Sequence, residues 1–159
     1  YEDYVKLLTE TAKSGLIQLA DVEIFFREEE AAGLIAALQN LGVRVVASNH
    51  DFQKTPSCEE MSRRLTRMEE LGADILKLAV MPNEKKDLLR LLEVTQQISH
   101  SSQRPVITMS MGKIGVLSRI CGEITGSSLT FAAGRSASAP GQISAEKMRR
   151  LLEELHSIA

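Results

Sequence analysis

Short apolar, β-branched runs alternate with longer helical patterns along the whole chain, and this alternation narrows its possible folds more than any other feature. A helical pattern over residues 1–12 stops at Gly15, and a strand pattern follows over 19–25. The cycle then repeats: helix 28–40 to Gly42, strand 43–48, helix 58–71 to Gly72 opened by Thr55-Pro56-Ser57, and strand 75–80. It continues with helix 84–99, strand 106–109, a short helix 114–122, a fifth strand 129–132, and a closing helix 144–157 whose first turn Ser144 caps. Strands separated by helices predict parallel pairing through crossovers, since a hairpin leaves no room for the intervening helix. The class is α/β. Strand starts recur roughly every 24 to 32 residues, close to the ~31 per unit of a TIM-type (β/α) barrel. Five units are too few for the usual eight, and the Gly-rich turn of a doubly wound sheet is absent after the first strand. The expected architecture is therefore one domain over 1–159, an incomplete barrel with about three of its eight units missing ahead of Tyr1. Open strand edges then predict self-association or a complementing N-terminal segment.

Composition excludes several partners. The 19 basic and 21 acidic residues are interspersed, so no face is basic enough to neutralise a nucleic-acid backbone. No apolar run approaches the roughly 18 residues that span a bilayer, and residues 1–8 lack a signal-peptide layout. The expectation is a cytoplasmic protein with no membrane partner. Cys58 and Cys121 lie far apart without metal-ligand spacing and read as free thiols, while His100 and His156 read as surface residues. No metal site assembles from local spacing.

Three segments carry candidate chemistry. Residues two apart in a strand share a face, so Lys77 looks the same way as Ile75, Ala79 and Met81, opposite the apolar set Leu76, Leu78 and Val80. An inward lysine is expensive to desolvate, which is how an amine becomes a nucleophile. Pairing with an interior carboxylate, such as Asp21 or Glu23 on a neighbouring strand, explains it equally well. The same parity puts Ser48 and His50 together, with His50 just past the C-terminal end of its strand, where active sites of such barrels lie. A lone histidine is usually structural, but two adjacent strands with ionisable groups at that end favour catalysis. Residues 133–142 are small and polar, a long connection that reads as a mobile loop able to close over a ligand. Finally, Met111-Gly112-Lys113-Ile114-Gly115 opens a helix whose backbone donors could face an anion.

Four motifs stand in order: Ser48-Asn49-His50-Asp51-Phe52 with Lys54-Thr55-Pro56; Lys77-Leu78-Ala79-Val80-Met81-Pro82; Met109-Ser110-Met111-Gly112 running to Ser118-Arg119; and Ser138-Ala139-Pro140-Gly141-Gln142. Together they make the chain resemble type I 3-dehydroquinate dehydratase, the Schiff-base dehydratase of the shikimate pathway. The resemblance implies that Lys77 forms an imine with 3-dehydroquinate, that His50 moves the protons, and that 3-dehydroshikimate leaves. It implies that Arg119 binds the substrate carboxylate and that Ser138 and Gln142 reach the substrate from the loop. Met109 and Phe131 would form the apolar wall, with no metal or diffusible cofactor. The family's further units, expected ahead of Tyr1, carry a glutamate, arginines and the carboxylate that orients the histidine, so His50 is expected here without an orienting partner. An inactive fragment of that enzyme is the second reading. Another Schiff-base barrel, such as an aldolase, is the third.

Overall fold

A computed structural model describes residues 1–158. Four strands, β1 (Leu19–Glu23), β2 (Arg44–Asp51), β3 (Ile75–Val80) and β4 (Val106–Ser110), form one parallel sheet in chain order. Helix α1 (Glu2–Lys13) precedes the sheet, and α2 (Glu28–Asn40), α3 (Cys58–Glu70) and α4 (Lys85–Ser101) connect its strands. Beyond β4 come α5 (Gly122–Thr125) and α6 (Ala145–Ile158). No helix among the described residues is long and apolar enough to cross a membrane. Cys58 and Cys121 are free thiols, as expected.

The helices end and begin where the sequence places their signals. Gly42 and Gly72 adopt positive φ, at 80° and 86°, which an L side chain resists. There the backbone turns back on the helix, with Val43 N–H donating to Leu38 O at 3.2 Å and Ala73 N–H to Met68 O at 3.3 Å. Ser57 caps α3 by accepting from Glu60 N–H at 3.3 Å, and Glu84 and Asp87 form a reciprocal box at the start of α4.

Strand parity sorts the side chains into two layers. Ala20 and Val22 of β1, Val45 and Ala47 of β2, and Leu76, Leu78 and Val80 of β3 pack beneath Leu34, Leu38, Met61, Leu65, Met68, Leu91 and Val94 of the helices. That layer is the main core. The opposite face carries Asp21, Glu23, Ser48, His50, Lys77, Ala79, Ile107 and Met109; Ala79, Ile107 and Met109 form a small apolar cluster with Ile75. Polar groups thus collect on the face the helices leave uncovered.

Several element boundaries differ from the sequence reading. β1 stops at Glu23, because Ile24–Phe26 turns into a 3-10 segment, and β2 runs on through Asp51, so His50 lies inside its strand opposite Ala79. The short helix expected at 114–122 divides into a 3-10 segment, Ile114–Arg119, and α5. The fifth strand does not form. The chain bridges β4 once, Val106 with Ser127, and Ser128 N–H donates to Val106 O at 2.8 Å. At the next position the Ser127 hydroxyl accepts from Thr108 N–H at 3.0 Å. A side chain thereby occupies the place of a ladder carbonyl, and residues 129–132 continue without strand pairing.

Candidate active site

Parallel register brings residues from distant units to one level. Glu23 pairs with Ser48, Ser48 with Lys77, and Lys77 with Ile107; one step towards the C-terminal end, His50 pairs with Ala79 and Ala79 with Met109. Above these rows a cavity of about 270 Å³ is lined by His50, Phe52, Lys77, Ala79, Met109, Met111, Phe131, Ser138, Ala139 and Gln142. Six residues singled out from sequence, Lys77, His50, Met109, Phe131, Ser138 and Gln142, therefore share one wall system. Phe52 and Met111 join them; both lie within the quoted motifs, but their place in the wall depends on how β2 and β4 end.

Lys77 is only 7% exposed, and its Nζ lies 2.6 Å from Asp21 Oδ2 and 5.0 Å from the centre of the Phe131 ring. The interior-carboxylate reading is thus realised in geometry. It does not displace the nucleophile reading, because the amine still borders the cavity, and Asp21 is a proton acceptor within reach. Asp21 is itself held, accepting from the Ser48 hydroxyl through its other oxygen. The Phe131 face beside Nζ adds an attraction that favours a cation there.

His50 has a carboxylate partner within this chain, where the resemblance placed the orienting one ahead of Tyr1. Glu23 Oε2 lies 2.7 Å from His50 Nδ1. An ionised carboxylate can only accept, so this contact is a hydrogen bond when Nδ1 carries the hydrogen, an arrangement that in a singly protonated ring puts the lone pair on Nε2. Phe52 stacks on the ring at 5.9 Å between centroids. Sequence reading names Glu23 as a possible partner for Lys77 and misses it for His50. Its signal was the spacing of Asp21 and Glu23, two apart and so on one face; which cation each would meet depends on register.

The loop over 133–142 is seated at its distal end. Pro140 O accepts from Gly112 N–H at 3.1 Å, and Gln142 Oε1 accepts from Ser138 N–H at 2.8 Å, from Ser138 Oγ at 3.2 Å and from Ala139 N–H at 3.3 Å. Two expected donors to an anion are thereby used up, since Gly112 N–H serves Pro140 and Met111 N–H serves Val80 O at 2.8 Å. Gly141 holds φ at 78°, and a Cβ there would stand 2.4 Å from Gly112 O. Gly141→Ala is therefore expected to lift the loop. Left-handed strain alone, about 1–2 kcal/mol, lowers the seated population roughly tenfold. Faster tryptic cleavage after the exposed Arg135, with little change in thermal midpoint, is the expected readout.

Arg119 is not brought into the cavity. It is 2% exposed behind the wall, where Nη1 donates to Phe131 O at 3.3 Å and Nη2 to Pro140 O at 3.0 Å. Its Nε has no partner, and among the described residues no carboxylate lies within ion-pair distance. Burial pushes this guanidinium below its ordinary value. The result is a buried cation without a counterion, joined to the loop through the Pro140 carbonyl and to the segment before it through Phe131 O.

A parallel sheet with helices on one face, and a buried lysine and a carboxylate-paired histidine on the other, is the arrangement of part of a (β/α) barrel. The family model for type I 3-dehydroquinase matches residues 1–159, and the chain belongs to that family. It is 49% identical over 155 residues to 3-dehydroquinate dehydratase of Listeria welshimeri, covering 98% of this chain and 62% of that protein. The type I enzyme of Clostridium difficile, crystallised with covalently modified comenic acid, superposes with a TM-score of 0.94 at 48% identity, over 99% of this chain and 63% of that one. The enzyme of Geobacillus kaustophilus gives 0.95 at 35% identity, over 99% and 61%. The chain thus spans under two thirds of the length of these relatives. It has the α/β fold of a TIM-type barrel in incomplete form.

Proposed function

We propose that the chain carries the Schiff-base centre of a 3-dehydroquinate dehydratase, which converts 3-dehydroquinate to 3-dehydroshikimate in aromatic amino acid biosynthesis. The observation that carries this reading is Lys77 and His50 on one cavity, each with its own carboxylate, Asp21 at 2.6 Å and Glu23 at 2.7 Å. Lys77 passes a proton to Asp21 and attacks the substrate ketone; loss of water leaves an iminium. The iminium draws electrons from the adjacent C2–H bond, and Nε2 of His50 takes that proton to give an enamine. His50 then returns the proton to the C1 hydroxyl, which departs as water, and hydrolysis of the remaining imine frees product and Lys77. Water is the only net loss.

Around that centre, Met109 and Phe131 keep the iminium dry, and Ser138 and Gln142 exchange their mutual hydrogen bonds for substrate oxygens. The unneutralised Arg119 supports an anionic substrate; its route to the carboxylate runs through release of the Pro140 and Phe131 carbonyls. The covalently modified ligand of the Clostridium difficile relative is consistent with a nucleophile in this pocket.

Further walls of the pocket are supplied from outside these residues, by a second copy or by a complementing N-terminal segment. The outer edge of β1 has no strand partner among the described residues, and Leu19 at that edge is 45% exposed. The test is a paired measurement on the full chain: ultraviolet absorbance of the conjugated enone formed from 3-dehydroquinate, and solution mass by light scattering. Enone formation by a species heavier than 17.5 kDa is expected. A 17.5 kDa monomer that forms no enone would contradict both parts of the reading.

A further inference from the structure

His50 is held from behind by a directional chain of hydrogen bonds that ends on helix α3. While Oε2 of Glu23 engages His50, its Oε1 accepts from Asn49 Nδ2 at 2.8 Å. Asn49 Oδ1 in turn accepts from Arg64 Nη1 at 2.8 Å. Arg64 is anchored in its own right: Nε donates to Glu60 Oε1 at 2.7 Å, the guanidinium lies 6.0 Å from the centre of the Phe25 ring, and Asp51 Oδ2 is 3.7 Å away. Its side chain is 19% exposed. Glu60 stays ionised, its carboxyl held down to about 2 by hydrogen bonds from Arg63 and Arg64.

The direction of this chain is forced by its ends. A guanidinium only donates and a carboxylate only accepts, so the Asn49 amide between them has one orientation that satisfies both. With Oε1 committed to Asn49, Glu23 presents Oε2 to the histidine ring. Glu23 is one-third exposed, at 34%, so without Asn49 its carboxylate can exchange the ring for water. Asn49, in turn, has Arg64 as the contact that fixes its rotamer.

We propose that Arg64 and Asn49 are positioning residues that hold His50 in the Nδ1–H tautomer, leaving Nε2 free as the base. The proposal deepens the proposed function and rests on its assignment of His50 as the proton-moving group. Nothing in it requires turnover to be seen, because a tautomer is a property of the resting protein. Neither residue touches the cavity around Lys77. Their hydrogen-bonded link to the ring runs through Glu23.

The test is two-bond ¹H–¹⁵N correlation NMR of the histidine rings in mildly alkaline buffer, with His50 assigned by comparison with His50→Gln. The full chain is expected to show the Nδ1–H pattern. Arg64→Met and Asn49→Leu are expected to shift both ring nitrogens of His50 towards the average of the two tautomers. Arg63→Met is the control, because Arg63 also binds Glu60, at 2.8 Å, but does not reach Asn49, and the wild-type pattern is expected to persist. An Nε2–H pattern in the unmodified chain overturns the proposal, as does an unchanged His50 pattern in a folded Arg64→Met or Asn49→Leu. If Arg64→Met fails to fold by circular dichroism, Asn49→Leu and the unmodified chain decide. Absence of enone formation with an Nδ1–H pattern would sink the proposed function and leave this inference standing.

Discussion

Lys77→Met is expected to abolish covalent capture of 3-dehydroquinate and to lower the dehydration rate by at least about 10³-fold. Methionine nearly keeps the volume of the lysine stem, so packing against the Phe131 ring survives while the amine is lost. The variant leaves Asp21 without its cation, but that carboxylate is 44% exposed and retains the Ser48 hydroxyl, so solvent and one hydrogen bond limit the cost in stability. Unchanged circular dichroism with no adduct separates chemistry from folding. A purely structural ion pair predicts the reverse, a loss of stability with dehydration retained by the folded fraction.

His50→Ala is expected to behave differently. The amine remains, so imine formation continues at reduced speed, while steps that move a proton at C2 and C1 slow by about 10²–10⁴-fold. Stalled imine should then accumulate, and reductive trapping should capture more of the protein than in the unmodified chain at the same time point. The ring's stacking on Phe52 and its bond to Glu23 are also lost, but both groups are partly solvated and the fold should persist. Dehydration at the unmodified rate would remove His50 from the proton path.

Most of the fold was legible because side-chain direction in a strand has a period of two, and helix ends carry local signals. Leu76, Leu78 and Val80 against Lys77 and Ala79 divide the two faces without knowledge of any neighbour, and Gly42, Gly72 and Ser57 mark helix ends on their own. What was not legible depends on pairing between units. Asp21 and Glu23 share a face in any register, but only the alignment of β1 on β2 and β2 on β3 sends Asp21 to Lys77 and Glu23 to His50. The expectation of an unoriented histidine failed for that reason. The missing fifth strand is a similar case. Residues 129–132 have suitable composition, but the Ser127 hydroxyl takes up the Thr108 N–H on which a ladder would extend.

Arg119 shows the same limit at the scale of one side chain. Its place in the Met109-to-Arg119 motif singles it out by resemblance, yet motif order says nothing of which way the guanidinium turns, and the structure turns it towards the carbonyls of Phe131 and Pro140. That arrangement ties the only buried cation without a counterion among the described residues to the loop that carries Ser138 and Gln142. Under the proposed function, loop seating and anion binding would thereby be linked, as in a loop that responds to substrate. Gly141, wedged against Gly112, sets the other side of that balance.

The central claim is that Lys77 is the amine that forms the imine. Borohydride reduction of the full chain in the presence of 3-dehydroquinate, followed by peptide mass spectrometry, tests it directly. A stable adduct on the peptide containing Lys77, absent without substrate and absent in Lys77→Met, is the predicted result. A folded chain that dehydrates 3-dehydroquinate yet yields no adduct at Lys77, or yields one on a different lysine, would contradict it.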